Sequence, residues 1–279
     1  MRNPLKAPTI AAALMATEGP SVPDEEFFSY LRLPNGTFKT TQARRMEDVN
    51  DRVAALLRAG APAQGEYRVL DAATSSGTAA VEFSESLSRA GVPHRMWASD
   101  QTALVRHLRS GPFDILATPD GHLLQADLGP LAFPNTPPSR LSGLVLGAAR
   151  RRWNRAIQSG QQPEPIPLLS RVARQSRIRF SNGDVWGELF EERPGERFDV
   201  IRVANLLQPA YFPEDRLRLA VTNVRRFLWP GGLLVLVRSS ESVNRYGLFR
   251  LDENRFRLLE ESPEPLEIRD LVLNLEPEA

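Results

Sequence analysis

Four short stretches hold the residues whose types and spacing could do chemistry. They are Asp71-Ala72-Ala73-Thr74-Ser75-Ser76-Gly77, the acid Asp100 followed by Gln101, Asn182-Gly183-Asp184-Val185, and Asn205-Leu206. The first is a run of small residues behind an acid. Such a run lets the backbone approach a ligand, and the helix after it offers unpaired amides at its N-terminus. A carboxylate at Asp100 can accept two hydrogen bonds from a ribose diol, and one at Asp184 can accept a bond from an adenine amino group. Together they outline a nucleoside pocket. A pyrophosphate cradle is not expected, because the full G-x-G-x-x-G run is missing. Asp127, in Gln125-Ala126-Asp127-Leu128, competes for the adenine position, but Asp184 fits the sheet order better because it precedes the strand at Phe198.

Those positions act together only if the chain brings them to one edge, and the hydrophobic pattern predicts that it does. Short apolar strands are expected at Tyr67–Leu70, Arg95–Ala98, Arg177–Phe180, Phe198–Val203 and Leu233–Val237. Leu233 to Val237 is apolar at every position, as in a parallel strand covered on both faces. Ala80, Phe83, Leu87 and Ala90 mark one helical face. Pro213 to Leu228 is the clearest helix, with Pro213 at its start, Glu214 and Asp215 in its first turn, and a stripe from Leu217 to Leu228. Pro230-Gly231-Gly232 reads as a turn, and Gly247–Leu251 with Arg255–Leu259 as a hairpin around Asp252-Glu253-Asn254. The fold class is α/β: a doubly wound, Rossmann-like, mostly parallel sheet with an antiparallel edge hairpin. In such sheets ligands bind beyond the carboxyl ends of the strands, where all four stretches fall.

Along the chain, residues 1–24 read as a flexible Ala/Pro-rich tail and 25–65 as a helical segment, broken at Pro34-Asn35-Gly36. Residues 66–279 read as the α/β domain, carrying an insertion at about 101–176. The insertion holds an expected hairpin, Phe113 to Leu128, and an amphipathic helix from about Ser139 to Gln158 with Arg150, Arg151, Arg152 and Arg155 on it. That arginine run is a candidate docking face for an acidic partner, set against a plain solvated face.

Composition removes several chemistries. The 279 residues include no Cys and three His, so a disulfide, a thiolate site and a Cys nucleophile are excluded and a metal site is not expected. Only Lys6 and Lys39 are lysine; the arginine excess, with 23 Pro, reads as the codon bias of a GC-rich bacterial genome. A net charge of +1 favours no nucleic-acid partner. No apolar run reaches the roughly 20 residues of a membrane span, and Ile10 to Ala16 is short for a secretory leader, so the expected location is cytoplasmic.

The loop Asp71 to Gly77, Asp100, Gly183-Asp184 and the run from Phe198-Asp199-Val200-Ile201 to Pro230-Gly231-Gly232-Leu233-Leu234 resemble class I S-adenosylmethionine-dependent methyltransferases. The late run and the long segment after Asp100 are similar to the chemotaxis receptor glutamate methyltransferases. Ala72 to Gly77 resembles that group's Ala-Gly-Cys-Ser-Thr-Gly loop, and Asn205-Leu206-Leu207 through Tyr211-Phe212 its Asn-Val-Leu-Ile-Tyr-Phe stretch with inserted residues. The resemblance spans about residues 66–260. It implies S-adenosylmethionine as cofactor. Asp71, Ala72, Ala73, Thr74 and Gly77 would sit around its methionine part, Asp100 and Gln101 at its ribose, Asp184 and Val185 at its adenine, and Asn205 and Leu206 at the methyl-transfer edge. Tyr211 is a candidate for the acceptor side by resemblance alone. The chain departs from the pattern at Ala73, where Gly is usual, and at Thr78 and Ala79, where the receptor enzymes carry two Glu. Asp71 is the acid that could replace them. The enzyme reading is therefore methyl transfer to an unidentified acceptor. The alternative is a non-catalytic or regulatory protein on a degenerate fold, and the missing glycine fingerprint argues against a nicotinamide or nucleotide-sugar enzyme.

Overall fold

The computed structural model describes residues 7–15, 24–34, 36, 38–39, 43–62, 64–136, 140–191, 195–240 and 243–276. Much of the expected tail, Asn35 of the expected turn and the first residues of the helix expected from Ser139 lie outside the described residues. After a π-helical turn at Ala11–Met15 come α1 (Asp24–Phe28), α2 (Glu47–Arg58), β1 (Tyr67–Ala72), α3 (Thr78–Arg89) and β2 (His94–Asp100). Next are β3 (Leu104–Ser110), β4 (Phe113–Ala117), β5 (Leu123–Leu128), β6 (Leu131–Pro134), α4 (Arg140–Gln158), β7 (Glu164–Pro167) and α5 (Arg171–Gln175). The chain ends through β8 (Arg179–Asn182), β9 (Phe198–Ala204), α6 (Glu214–Arg226), β10 (Leu228–Ser239), β11 (Asn244–Asp252), β12 (Arg255–Glu261) and α7 (Arg269–Leu273). Two compact units result: Met1–Thr41 with Thr102–Arg174, and Gln42–Gln101 with Gln175–Ala279.

The second unit is a seven-stranded sheet in the order β12-β11-β10-β9-β1-β2-β8. Strands β8, β2, β1, β9 and β10 are parallel, and β11 and β12 form the antiparallel edge hairpin. The chain leaves β1 for β2 on one side and later returns to β9 on the other, so the topological switch point lies between β1 and β9. Side chains alternate between two cores, as a period of two requires. Val69, Val200, Leu233, Val235 and Val237 pack with Val49 and Val53 of α2 and with Ala80, Phe83 and Leu87 of α3. Leu70, Ile201, Val203, Leu234 and Leu236 pack with Leu217, Val221 and Val224 of α6 and Val272 of α7. Both faces of the sheet are therefore covered, which explains the unalternating apolar strands.

Strand β1 runs two residues beyond its expected end. The ladder continues through Asp71 opposite Ala98 and Ala72 opposite Ser99, so Asp71 and Ala72 belong to the end of β1 rather than to the loop after it, while Asp100 ends β2 as expected. At Pro230-Gly231-Gly232 the chain does not turn out of the sheet; β10 spans the stretch with a register shift between Leu228 and Leu233, and Gly231 at φ 80° takes up the irregularity. The hairpin turn at Glu253-Asn254 has φ of 47° and 65°, the left-handed pair of a two-residue type I′ connection.

The first unit is a five-stranded antiparallel sheet in the order β6-β5-β4-β3-β7. Ala149, Trp153 and Ala156 of α4 pack with Leu108, Phe113, Ile115 and Ala126. Ile10, Ala13, Phe27, Phe28 and Leu31 pack with Val105 and Leu116, which alternate with the former set along β3 and β4, and with Leu124 of β5, where a register shift interrupts the alternation. Part of the stretch read as a tail is thus built into a core, Ile10 being fully buried. The Ile10 amide donates to the Asp127 carboxylate at 2.6 Å, and Gln125 donates to the same carboxylate at 2.8 Å and to the Pro8 carbonyl at 2.9 Å. On α4, Arg152 lies over the Phe113 ring at 5.3 Å, while Arg150, Arg151 and Arg155 are exposed. No helix among the described residues is long and apolar enough to cross a membrane.

Candidate functional site

All four chemistry-bearing stretches belong to the parallel-sheet unit and reach its carboxyl edge. Ala72 stands in register with Ser99 on one side and Val203 on the other, and Asp100 with Asn182. Asp127, the competing position, lies in β5 of the antiparallel sheet. The loop after β1 is held by its neighbour strand: Thr74 N–H donates to the Ser99 carbonyl at 2.9 Å, and Ser75 N–H donates to the Asp100 carboxylate at 3.0 Å. Ala73 and Ser75 both adopt left-handed φ, 58° and 59°, and Gly77 follows at 82°. A non-glycine residue there costs about 1–2 kcal/mol, and two within three residues mark a backbone shaped by its surroundings. Gly77 then opens α3, whose first amides face the same edge.

The strongest feature of the site escaped the sequence reading. Arg202 of β9 is the register neighbour of Asp71, and its Nε donates to Asp71 Oδ1 at 2.7 Å with both side chains almost wholly buried, 1% and 2% exposed. Its Nη1 donates to Asn50 Oδ1 of α2 at 2.7 Å, its Nη2 to the Ala79 carbonyl of α3 at 2.8 Å, and its guanidinium carbon lies 4.4 Å from the centre of the Phe83 ring. The other Asp71 oxygen accepts the Thr74 hydroxyl at 2.7 Å. One guanidinium therefore ties β1, the loop after it, α2 and α3 together beneath the edge. The sequence signal was weak: Asp71 and Arg202 are opposite charges near the ends of two mostly apolar strands, but Arg68 and Asp199 stand as another opposite pair in the same two strands.

Gly183 is required by packing. A Cβ there would lie 2.1 Å from the Leu189 carbonyl oxygen. Asp184 makes a local Asx turn, its Oδ1 accepting Trp186 N–H at 2.9 Å, and Asn223 of α6 donates to the Val185 and Gly187 carbonyls at 3.0 and 2.6 Å. The Val185 side chain is buried in the core under α6, while its neighbour Asp184 is partly exposed. Asn205, at φ 59°, ends β9: its N–H donates to the Val237 carbonyl and its Oδ1 accepts Ser239 N–H at 2.7 Å. Its Nδ2 is buried and has no partner among the described residues. Leu206 packs against the α6-side core, Gln101 is exposed, and Tyr211 is 69% exposed. The structure thus brings Asp100 to the Asp71–Gly77 loop, sets Asp184 and Asn205 at the ends of β8 and β9, and leaves Tyr211 in solvent. No cluster of three metal-ligating side chains occurs among the described residues.

No family model and no curated protein matches this chain. Among solved structures it is similar to the S-adenosylmethionine-bound amino pentose methyltransferase CalS10 of Micromonospora echinaspora, at 14% identity over 73% of this chain and 62% of that one, with a TM-score of 0.34. It is also similar to the N-methyltransferase NodS of Bradyrhizobium japonicum in complex with S-adenosylhomocysteine (17% identity, 70% and 63% covered, TM-score 0.32). DesVI of Streptomyces venezuelae is a third (13% identity, 77% and 68% covered, TM-score 0.33). The chain spans less than two thirds of the length of the first two. Likenesses this distant carry no argument about activity, which rests on the sheet order and the residues at its edge.

Proposed function

We propose that the parallel-sheet unit binds S-adenosylmethionine at its carboxyl edge and transfers the methyl group to an acceptor. The observation that carries this reading is the convergence, on both sides of the switch point, of the loop after β1, Asp100 at the end of β2, Asp184 after β8 and Asn205 after β9. The donor set suits the cofactor. Partly buried carboxylates at Asp100 and Asp184 match ribose hydroxyls and an adenine amino group, and the orphaned Asn205 Nδ2 is a buried donor that a ligand acceptor would satisfy. When bound, the cofactor supplies a methyl already activated on a sulfonium.

In this reading Asp100 has two tasks: it holds the Ser75 amide, which shapes the loop, and it accepts from the ribose. The backbone of Ala72, Ala73 and Thr74 with the amides after Gly77 receives the methionine part. Asp184 and the Val185 backbone flank the adenine, Gln101 lies beside the ribose, and Asn205 with Leu206 lines the edge where the acceptor meets the methyl. Asp71 is a positioning residue, because its two oxygens are taken by Arg202 and Thr74. Transfer from a sulfonium needs the nucleophile held in line, and a base only where the nucleophile carries a proton to be lost, so the absence of a Ser-His-Asp set is no obstacle.

The second reading, binding without turnover, is favoured by one observation. With Asp71 engaged and Thr78 and Ala79 following the loop glycine, no carboxylate of the loop is left for the cofactor's amino group. Incubation with methyl-labelled S-adenosylmethionine and small-molecule and protein fractions of a bacterial lysate separates the two. Label appearing in an acceptor supports catalysis, and binding of S-adenosylhomocysteine with no label transferred supports the second reading.

A further inference from the structure

A cavity of about 580 Å³ opens at the same carboxyl edge, between the entry to α2 and the ends of β10, β11 and β12. The position follows from strand polarity: β10 is parallel to β9, and its last residues, up to Ser239, lie past the Val237–Ala204 pair. Arg44, Arg45 and Arg52 line the cavity against one carboxylate, Asp48. Arg52 is already occupied, donating at 2.8 Å to Glu260, which also accepts the Tyr246 hydroxyl at 2.7 Å. Arg44 and Arg45 are in a different position. The Arg44 N–H donates to Glu82 at 2.8 Å, and its left-handed φ of 58° fixes the turn that brings two consecutive arginines to the cavity. Arg45 Nε is buried and without a hydrogen-bond partner among the described residues, and burial draws its guanidinium below the ordinary range against the opposing attraction of the Glu82 carboxylate.

The cavity is also wired to the edge already described. Asn244 donates to the Arg45 carbonyl at 2.6 Å and to Asp48 at 2.5 Å, and accepts the Ser239 hydroxyl at 2.7 Å. The Ser239 N–H in turn donates to Asn205 Oδ1. A continuous chain of hydrogen bonds thus joins the mouth of the cavity to the residue at the end of β9. A partly buried guanidinium beside an open cavity, with one buried donor unmet, is stabilised by an oxyanion, whose lone pairs match its planar donors.

We propose that this cavity is an oxyanion site, gripped by Arg44 and Arg45, for a carboxylate or phosphate group by which the methyl acceptor is recognised. The acceptor role rests on the methyl-transfer reading; the oxyanion site does not. The test measures thermal stabilisation of the full chain by sodium phosphate and by sodium succinate, each against sodium chloride at equal ionic strength. Alongside it, phenylglyoxal modification of individual arginines is followed by mass spectrometry with and without each anion. Expected are stabilisation by at least one anion, slower modification of Arg44 and Arg45 in its presence, and an affinity about tenfold weaker in Arg44→Gln or Arg45→Gln, the size of one lost charge-assisted bond. Arg257→Gln, which removes an exposed partner of Asp252, leaves anion affinity unchanged. A stronger response to phosphate than to succinate identifies a phosphorylated acceptor, and the reverse a carboxylate. Because protection is read on the wild-type protein, a variant that fails to fold does not spoil the result. Unchanged modification of Arg44 and Arg45 with either anion overturns the site. S-adenosylhomocysteine titration then tells the two failures apart: cofactor product bound without anion protection leaves the methyl-transfer reading standing, and anion protection without cofactor product bound overturns the acceptor role.

Discussion

Replacing Arg202 by methionine removes the charge that ties the edge together and keeps most of the side-chain volume. The Asp71 carboxylate is left almost fully buried with the Thr74 hydroxyl as its neutral donor, and Asn50 Oδ1 and the Ala79 carbonyl lose the guanidinium. Breaking a buried ion pair from one side costs about 3–5 kcal/mol, and a stranded buried acceptor about 1–3 kcal/mol. The terms overlap, because one rearrangement or an entering water relieves several of them, so the expected loss is about 4 kcal/mol. Against a total stability of about 5–15 kcal/mol this is a large share. In urea unfolding followed by circular dichroism, a slope of about 2 kcal/mol per molar puts the midpoint about 2 M lower. Exchanging both partners, Asp71→Leu with Arg202→Met, removes the stranded charge and recovers at least half of the loss. Both variants weaken S-adenosylhomocysteine binding, because the clamp holds the loop after β1. The reasoning is refuted if Arg202→Met loses less than about 1 kcal/mol, or if the double variant is no more stable than the single one.

Three further outcomes follow from other parts of the structure. Burial raises the Asp127 carboxyl to about 6, against the Gln125 and Ile10 hydrogen bonds and with the like charge of its register neighbour Asp114, itself met by His107 and Arg109. A folded value above the unfolded one means that the native state binds the proton more tightly, so stability falls as pH rises from about 4 to about 7, by about 3 kcal/mol in full; Asp127→Asn flattens that part of a thermal-melt pH profile. Gly183→Ala drives a Cβ into the Leu189 carbonyl and is expected to lower the melting temperature by more than 10 °C, or to prevent folding, while Gly187→Ala, in open space, changes it little. Ala73→Gly relieves a left-handed alanine worth about 1–2 kcal/mol and returns about 0.5–1 kcal/mol in unfolded-chain entropy, for a small net gain in urea midpoint.

Periodicity carried the core of the fold because both sheet faces are covered. Leu233 to Val237 has no alternation to confuse the eye, and α6 shows one unbroken apolar stripe. Strand ends were harder to read. Asp71 looks like a loop residue, yet Arg202 neutralises it within the ladder; Asp100 was legible as the end of β2, but not its hold on the Ser75 amide. In the segment between β2 and β8 the hairpin of β4 and β5 and the helix α4 were legible from their turn and their spacing. Strands β6 and β7 were not, because Leu-Ala-Phe-Pro and Glu-Pro-Ile-Pro carry prolines that local rules assign to breaks and that only edge positions in a sheet tolerate. Nor could the pattern assign α1 and α2 to different units, since that division is made by long-range packing of Phe27 and Phe28 on one side and Val49 and Val53 on the other. At the edge itself the four stretches were visible as residue types. The Arg202 clamp was not, because a charge inside an apolar strand acquires its meaning only from its partner.

The central claim is that the carboxyl edge of the parallel sheet holds S-adenosylmethionine through Asp100. Calorimetric titration of the full chain with S-adenosylhomocysteine, wild type beside Asp100→Ala, tests it most directly. The account predicts one molecule bound per chain and an affinity at least about tenfold weaker in the variant, the loss of one bidentate carboxylate contact. No binding by the wild type, or equal binding by both proteins, would contradict it.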